Sequence, residues 1–119
     1  FQTAGFQPVF LLGPAELDRK QIDPQGLESI GPVLCSPEIS ELIGLASLCS
    51  AFLGNDSGPA HIFGACGAKT LAIFGPTNPG VYHPIGPNVQ TLRVSEADFC
   101  SKQPQDIEKV TQTVLDMLC

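Results

Sequence analysis

Short apolar runs alternate along this chain with longer segments in which apolar residues recur at helical spacing. Most of the runs are continuous, which is typical of strands buried on both faces of a parallel sheet. The last run instead alternates apolar with polar residues, as a strand at the edge of a sheet does. The pattern predicts strands at Gln7–Leu12, Gly31–Cys35, Ala51–Leu53, Lys69–Gly75 and Val89–Val94.

The clearest helical spacing lies between the second and third predicted strands. Ser36 and Pro37 suit the cap and the first position of a helix there. The apolar residues that follow share one helical face: Ile39, Leu42, Ile43, Ala46 and Cys49. The chain closes with a second such helix, Gln105–Leu118, whose apolar face consists of Ile107, Val110, Val114 and Leu118.

Two shorter helices are predicted at about Ala15–Ile22 and from Asp56 to about Ala65, the latter ending at Gly67. Proline and glycine interrupt the pattern elsewhere. They predict a break at Asp23–Gly26 and a loop at Pro76–Pro87.

Phe1–Gly5 resembles the end of a helix that begins further upstream, and Ser95–Gln103 is predicted to be a connector. Strands that alternate with helices are typical of parallel sheets covered on both sides. The fold class predicted is therefore α/β, a Rossmann-like three-layer sandwich around a parallel sheet of about five strands.

Composition supports one folded domain, since 43% of the 119 residues are hydrophobic and 15% are charged. The chain starts with Phe1, and we expect it to be a fragment of a longer protein. The net charge is −6 and no basic cluster is present, so nucleic acid and anionic membranes are poor partners. No segment resembles a membrane span or a signal peptide. The five cysteines lack metal-binding or C-x-x-C spacing, which indicates reduced cytosolic thiols.

The segment Gly54–His61 is the candidate for chemistry. Asp56 and Ser57 are residue types that cap helices, and Pro59 suits a first turn. Unpaired N–H groups at such a helix start suit an anion such as a nucleoside diphosphate. Capping alone would also explain these residues, and His61 is either a further donor to the anion or a buried structural histidine.

Several other chemistries are excluded or weakened by spacing. A serine hydrolase needs Gly-x-Ser-x-Gly, whereas Gly54 lies three residues before Ser57 and Gly58 follows it directly. No P-loop sequence occurs, and no Gly-x-Gly-x-x-Gly follows the first strand. The spacing of Asp56, His61 and His83 gives no support to a metal site.

Further candidates follow other predicted strands, at the edge where open α/β sheets bind ligands. Glu16 would accept hydrogen bonds from ribose hydroxyls there, or it is an exposed first-turn glutamate favoured by the helix dipole. Ser36–Ile39 would shape a pocket for a base. Thr77, in the turn Gly75–Pro79, would reach a phosphate or sugar, or it belongs only to the turn.

Taken together, Asp56–His61 and Phe74–Pro79 resemble the signature of the heptosyltransferase family of bacterial glycosyltransferases. Phe10–Glu16 is similar to the family's strand and the turn that runs from a glycine to a glutamate. Leu42–Ser50 is similar to the helix that leads into the signature. The resemblance covers nearly the whole chain, and the pairing of the two motifs is its most specific part.

The resemblance implies the C-terminal half of a GT-B glycosyltransferase, with residues 1–119 as the nucleotide-sugar donor domain. It implies that Asp56, Ser57, Gly58 and His61 bind the diphosphate, that Glu16 binds the nucleoside, and that Thr77 lies on the sugar or acceptor side. The catalytic base and most of the surface for a lipopolysaccharide-core acceptor would belong to the absent N-terminal domain. The donor would be ADP-heptose, without a metal or other cofactor.

Such an enzyme would act in the cytoplasm, including the cytoplasmic face of the inner membrane, where it would associate peripherally. The fragment alone is expected to be inactive. The alternative is a non-enzymic nucleotide-binding or regulatory module of the same fold.

Overall fold

A computed structural model describes residues 5–18, 23–55, 57–75, 79–93 and 104–118 of the chain. The chain forms two compact units, Phe1–Glu41 and Leu42–Cys119. Residues 19–22 and 94–103, which contain the end of the first predicted helix and the whole of the predicted connector, lie outside the described residues. The same holds for residues 1–4, which contain most of the predicted upstream helix.

The first unit is built on two parallel strands, β1 (Phe10–Leu12) and β2 (Val33–Cys35). Leu12 is in register with Cys35, so both strands end at the same edge of the pair. A short helix, α1 (Pro14–Asp18), starts directly after β1. The turn that follows each strand therefore starts at one common edge.

A second short helix, α2 (Pro24–Glu28), occupies the segment that was predicted to be a break. The prediction was wrong because the same residue types that end one helix also start another. An Asp23 side-chain oxygen accepts a hydrogen bond from the Gln25 N–H at 3.1 Å, and Pro24 takes the first helical position.

The helix after β2, α3 (Ile39–Leu48), starts later than predicted. Ser36 is not its cap, because this residue lies in the left-handed region with φ of 47°. Glu38 precedes the helix, and its N–H donates to the Glu41 carboxylate at 3.1 Å. This contact is half of a capping box, in which a glutamate in the first turn binds the N–H of the capping residue.

The predicted apolar face of α3 is only partly buried. Leu42 and Ala46 are 4% and 5% exposed, whereas Ile39 and Ile43 are 66% and 48% exposed. Each pair is spaced i, i+4, so the two pairs form adjoining stripes on the helix. Only one of the two stripes is buried.

The second unit contains a three-stranded parallel sheet in the order β3 (Phe52–Asn55), β4 (Thr70–Phe74) and β5 (Val89–Arg93). The central strand β4 is almost entirely buried, with Thr70, Leu71, Ala72 and Phe74 each at 0% exposure. Burial on both faces is the reason for its continuous apolar sequence.

The sheet of the second unit is covered by α4 (Gly58–Ala65), which packs against β3 and β4. Phe63 of this helix contacts Phe52 of β3, with ring centroids 4.4 Å apart. Gly67 follows the helix with φ of 83°, a left-handed conformation that glycine adopts without strain. The predicted end of this helix is thereby confirmed.

Two further helices complete the described part of the second unit. The helix α5 (Pro79–Tyr82) lies within the predicted loop, so that prediction was wrong for four residues. The last helix, α6 (Pro104–Leu118), starts one residue before the prediction and buries Val114 at 5% exposure.

The predicted fold class is confirmed: all five predicted strands are present, every strand pairing is parallel, and helices alternate with the strands. Hydrogen bonds group the strands into a pair and a triplet. Within the described ranges, no helix has the length and apolar character needed to cross a membrane.

Candidate functional site

The start of α4 lies at the carboxyl edge of the three-stranded sheet. Asn55, the last residue of β3, is in register with Ile73, one residue before the end of β4. Gly58 opens the helix three residues after Asn55, and Gly75 follows directly after β4. The two turns that the sequence analysis singled out therefore start at the same edge, where open α/β sheets bind ligands.

Ser57 occupies the capping position of α4, as predicted, but its side chain does not cap the helix. Its backbone is extended, with φ of −137° and ψ of 167°. The hydroxyl group donates to the Asn55 carbonyl at 3.3 Å. The Ser57 hydroxyl therefore accepts no hydrogen bond from the backbone N–H groups at the start of α4.

The first turn of α4 offers two N–H groups to a ligand. The first intrahelical bond joins the His61 N–H to the Ser57 carbonyl at 3.3 Å. The N–H groups of Gly58 and Ala60 precede it and have no acceptor within the helix, and Pro59 has no N–H. Among the described residues, no heavy atom would lie within 4 Å of a Cβ atom added to Gly58.

The His61 side chain is exposed, one turn into the helix. This exposure argues against the alternative of a buried structural histidine. Its role toward an anion stays a prediction.

In the first unit, Glu16 lies in the first turn of α1 and is exposed. Its Oε2 atom accepts a hydrogen bond from the Gly13 N–H at 2.9 Å, and the Leu17 N–H bonds the Gly13 carbonyl at 3.2 Å. The carboxylate therefore has a local partner that fixes one oxygen. This contact was not predicted from the sequence, although glycine and glutamate three residues apart match the spacing of a capping box.

The turn after β2 lies at the same edge as Glu16 within the first unit. The Ser36 N–H donates to the Leu12 carbonyl at 2.6 Å, which ties this turn to the end of β1. Ser36 has a positive φ of 47°, an uncommon conformation for a residue with a side chain. Such conformations are enriched at ligand sites. The base pocket at Ser36–Ile39 stays a prediction.

The structure thus brings Ser57, Gly58 and His61 together at the start of α4. Glu16 belongs to the other unit. Asp56 and Thr77 lie outside the described residues. The binding roles assigned to all six stay predictions.

The second unit also has an open groove of about 540 Å³ that the sequence analysis did not anticipate. The groove contains none of the predicted site residues. It is lined by Gly80, His83, Pro84, Ile85, Gly86, Val89 and Thr91.

Cys35, Cys49 and Cys66 are free thiols in the described parts of the chain. Burial raises the pKa of the Cys49 thiol, whereas Cys35 and Cys66 are exposed. Across the same described ranges, no three His, Cys, Asp or Glu side chains lie close enough together to hold a metal ion.

The parallel α/β fold places the start of α4 at the carboxyl edge of its sheet, the edge at which open α/β sheets bind ligands. The family profile of "Glycosyltransferase family 9 (heptosyltransferase)" matches residues 1–111. The chain belongs to this family.

One relative is the lipooligosaccharide heptosyltransferase 2 of Haemophilus influenzae, which is 30% identical over 70 residues. The match covers 59% of this chain and 20% of that protein.

Two solved structures share the fold. One is a family 9 glycosyl transferase from Veillonella parvula, with a TM-score of 0.69 at 22% identity. The other is the ADP-heptose LPS heptosyltransferase II of E. coli, with a TM-score of 0.72 at 17% identity. Both matches cover 98% of this chain but only 37% and 38% of those chains. This chain therefore spans less than two fifths of these proteins.

Proposed function

We propose that this chain is the nucleotide-sugar donor-binding part of an inverting glycosyltransferase. The enzyme transfers a heptose-type sugar from ADP-heptose to a lipopolysaccharide-core acceptor. Membership of glycosyltransferase family 9 supports the reaction class. The names of the relatives from Haemophilus influenzae and E. coli support the heptose, the ADP and the acceptor.

The observation that supports the proposal best is the start of α4 at the carboxyl edge of the sheet, which the Ser57 side chain leaves uncapped. The N–H groups of Gly58 and Ala60 point toward the space in front of the helix. A nucleoside diphosphate gains negative charge when it leaves the sugar. Prearranged N–H groups and the positive end of a helix dipole stabilise such charge, which lowers the barrier to transfer.

The remaining roles follow from the same assignment. Asp56, Ser57 and His61 contact the diphosphate together with Gly58, and Glu16 accepts hydrogen bonds from the ribose. Thr77 lies on the sugar or acceptor side. The base that deprotonates the acceptor hydroxyl belongs to the N-terminal domain, and the scheme uses no metal. The enzyme acts in the cytoplasm, including the cytoplasmic face of the inner membrane, with which it associates peripherally.

The test is a transfer assay with ADP-heptose and a lipopolysaccharide-core acceptor. The complete protein should transfer heptose, whereas a protein of residues 1–119 alone should not. Transfer by residues 1–119 at an ordinary enzymic rate would refute the two-domain assignment. Nucleotide binding without transfer of any sugar would favour the regulatory module instead.

Glu16→Gln in the complete protein tests the nucleoside contact, with Asp23→Asn as the matched control. Both carboxylates are exposed and accept one backbone N–H near a helix start, at 2.9 Å and 3.1 Å. Both substitutions remove one negative charge. Glu16→Gln should weaken ADP binding about tenfold, because a hydrogen bond to a charged group is lost. Equal effects of the two substitutions would show that Glu16 acts only as a cap.

A further inference from the structure

We propose that Gly13 is a positioning residue for nucleotide binding, because it holds the Glu16 carboxylate in its binding orientation. This inference rests on the proposed contact between Glu16 and the nucleoside. It adds two features of the turn after β1: the hydrogen bond from the Gly13 N–H to Glu16, and the space that the missing Gly13 side chain leaves for the carboxylate.

The Gly13 N–H fixes one oxygen of the carboxylate. It donates to Glu16 Oε2 at 2.9 Å, and the turn is closed by the Leu17 N–H on the Gly13 carbonyl at 3.2 Å. A carboxylate has two oxygens and about four acceptor directions. With Oε2 held by the backbone, Oε1 stays available for ribose hydroxyls. A glutamate without this contact would have to lose more side-chain freedom when the nucleotide binds.

Gly13 also leaves the space that the carboxylate occupies. A Cβ atom added to Gly13 would lie 2.9 Å from Glu16 Oε2, closer than real Cβ contacts. No other heavy atom of the described residues comes within 4 Å of that position. The backbone of Gly13 is not in the left-handed region, so alanine can adopt it.

The position of Glu16 Oε2 predicts which property an added methyl group at Gly13 changes. The obstructing atom is the end of a flexible, exposed side chain, so the carboxylate moves while the fold is unaffected. Gly13→Ala should therefore reduce nucleotide affinity, with a loss of stability no larger than that of one capping bond. If glycine were needed only for the turn, Gly13→Ala would reduce stability and leave nucleotide affinity unchanged.

Gly26 provides a matched control in the same unit. A Cβ atom there would lie 3.2 Å from Asp23 Oδ2, so this glycine also faces a carboxylate that caps a helix. Asp23 has no assigned role in binding. Gly26→Ala should leave nucleotide affinity unchanged.

The experiment is calorimetric titration of the complete protein with ADP, arranged as a double-mutant cycle of Gly13→Ala and Glu16→Gln. We expect each single variant to bind ADP about tenfold more weakly than wild type, and to lower thermal stability no more than Asp23→Ala does. Since Gly13 acts through Glu16, the double variant should bind no more weakly than Glu16→Gln alone.

Pyrophosphate and 2′,3′-dideoxy-ADP are the second set of probes, because both lack the ribose hydroxyls. Gly13→Ala should leave their affinities unchanged. An equal loss with pyrophosphate, or additive losses in the double variant, would overturn the inference while the role of Glu16 stands. Unchanged ADP affinity in Glu16→Gln would instead refute the proposed nucleoside contact, and the role of Gly13 with it.

Discussion

At the scale of single residues, the surroundings of two glycines predict opposite effects of alanine substitution on stability. A Cβ atom on Gly86 would overlap the carbonyl group of Gly64, so the backbone of α4 and the loop before β5 approach each other too closely for any side chain. A Cβ atom on Gly44, within α3, would meet no heavy atom within 4 Å. Only the first glycine is required by packing.

Gly86→Ala should therefore destabilise the protein by about 1–3 kcal/mol, because the two backbone segments must separate. Gly44→Ala should stabilise it by about 0.5–1 kcal/mol, because alanine costs less conformational entropy in a helix. Urea denaturation of both variants measures the two free energies of unfolding. The packing explanation is wrong if Gly86→Ala is as stable as wild type.

The two histidines of the chain give a matched test of the diphosphate site. His61 is exposed on α4 one turn from the proposed anion, whereas His83 lines the separate groove. If the His61 ring donates to the diphosphate, His61→Ala should lower kcat/KM for ADP-heptose about tenfold or more. His83→Ala should leave kcat/KM unchanged. Unaltered kinetics for His61→Ala would remove this residue from the site.

At the scale of secondary structure elements, α2 occupies a segment that the sequence predicted to be a break. Asp23, Pro24 and Gly26 were interpreted as a break, yet the Asp23 side chain caps a helix that starts at Pro24. Asp23→Ala should destabilise the protein by about 0.5–2 kcal/mol through loss of the cap.

Asp18 is the control for that prediction. It is the last residue of α1 and is exposed, near the end of a helix where a negative charge opposes the dipole. Asp18→Ala should therefore be neutral or slightly stabilising in the same urea titration. If Asp23→Ala is equally neutral, the capping bond contributes nothing measurable.

Strand positions were predictable because continuous apolar runs match strands buried on both faces, as β4 shows. Helix starts were less predictable. Ser36 and Pro37 match the preferred residue types, but Ser36 takes up a left-handed conformation and α3 begins only at Ile39. The left-handed conformation of Ser36 at the end of β2 delays the start of α3. Residue preferences for helix caps do not predict such a turn conformation.

Burial was also only partly predictable. Helical spacing identified the apolar residues of α3 but could not show that Ile39 and Ile43 would stay exposed. Which of two adjoining stripes faces the core depends on the elements against which the helix packs.

At the scale of the whole molecule, the candidate site could be predicted in part. The sequence of Gly54–His61 offered Asp56 and Ser57 as caps of a helix, and Ser57 holds the capping position of α4 without a side-chain capping bond. The contact between Gly13 and Glu16 was not predicted, because it depends on α1 starting at the residue that follows Gly13. Motifs therefore located the two turns, whereas the contacts that hold the groups within each turn depend on the fold.

The family assignment covers residues 1–111, and the chain spans 37% and 38% of the two solved structures that share its fold. The proposed reaction thus concerns the complete protein, and binding of the donor nucleotide is the part assigned to this chain.

Calorimetric titration of the complete protein with ADP, UDP and GDP tests that assignment most directly. The account predicts a measurable heat of binding and the highest affinity with ADP. Gly44→Ala should bind ADP like wild type, and Glu16→Gln about tenfold more weakly. Absence of binding heat with all three nucleotides would contradict the central claim that this chain binds a nucleoside-diphosphate sugar.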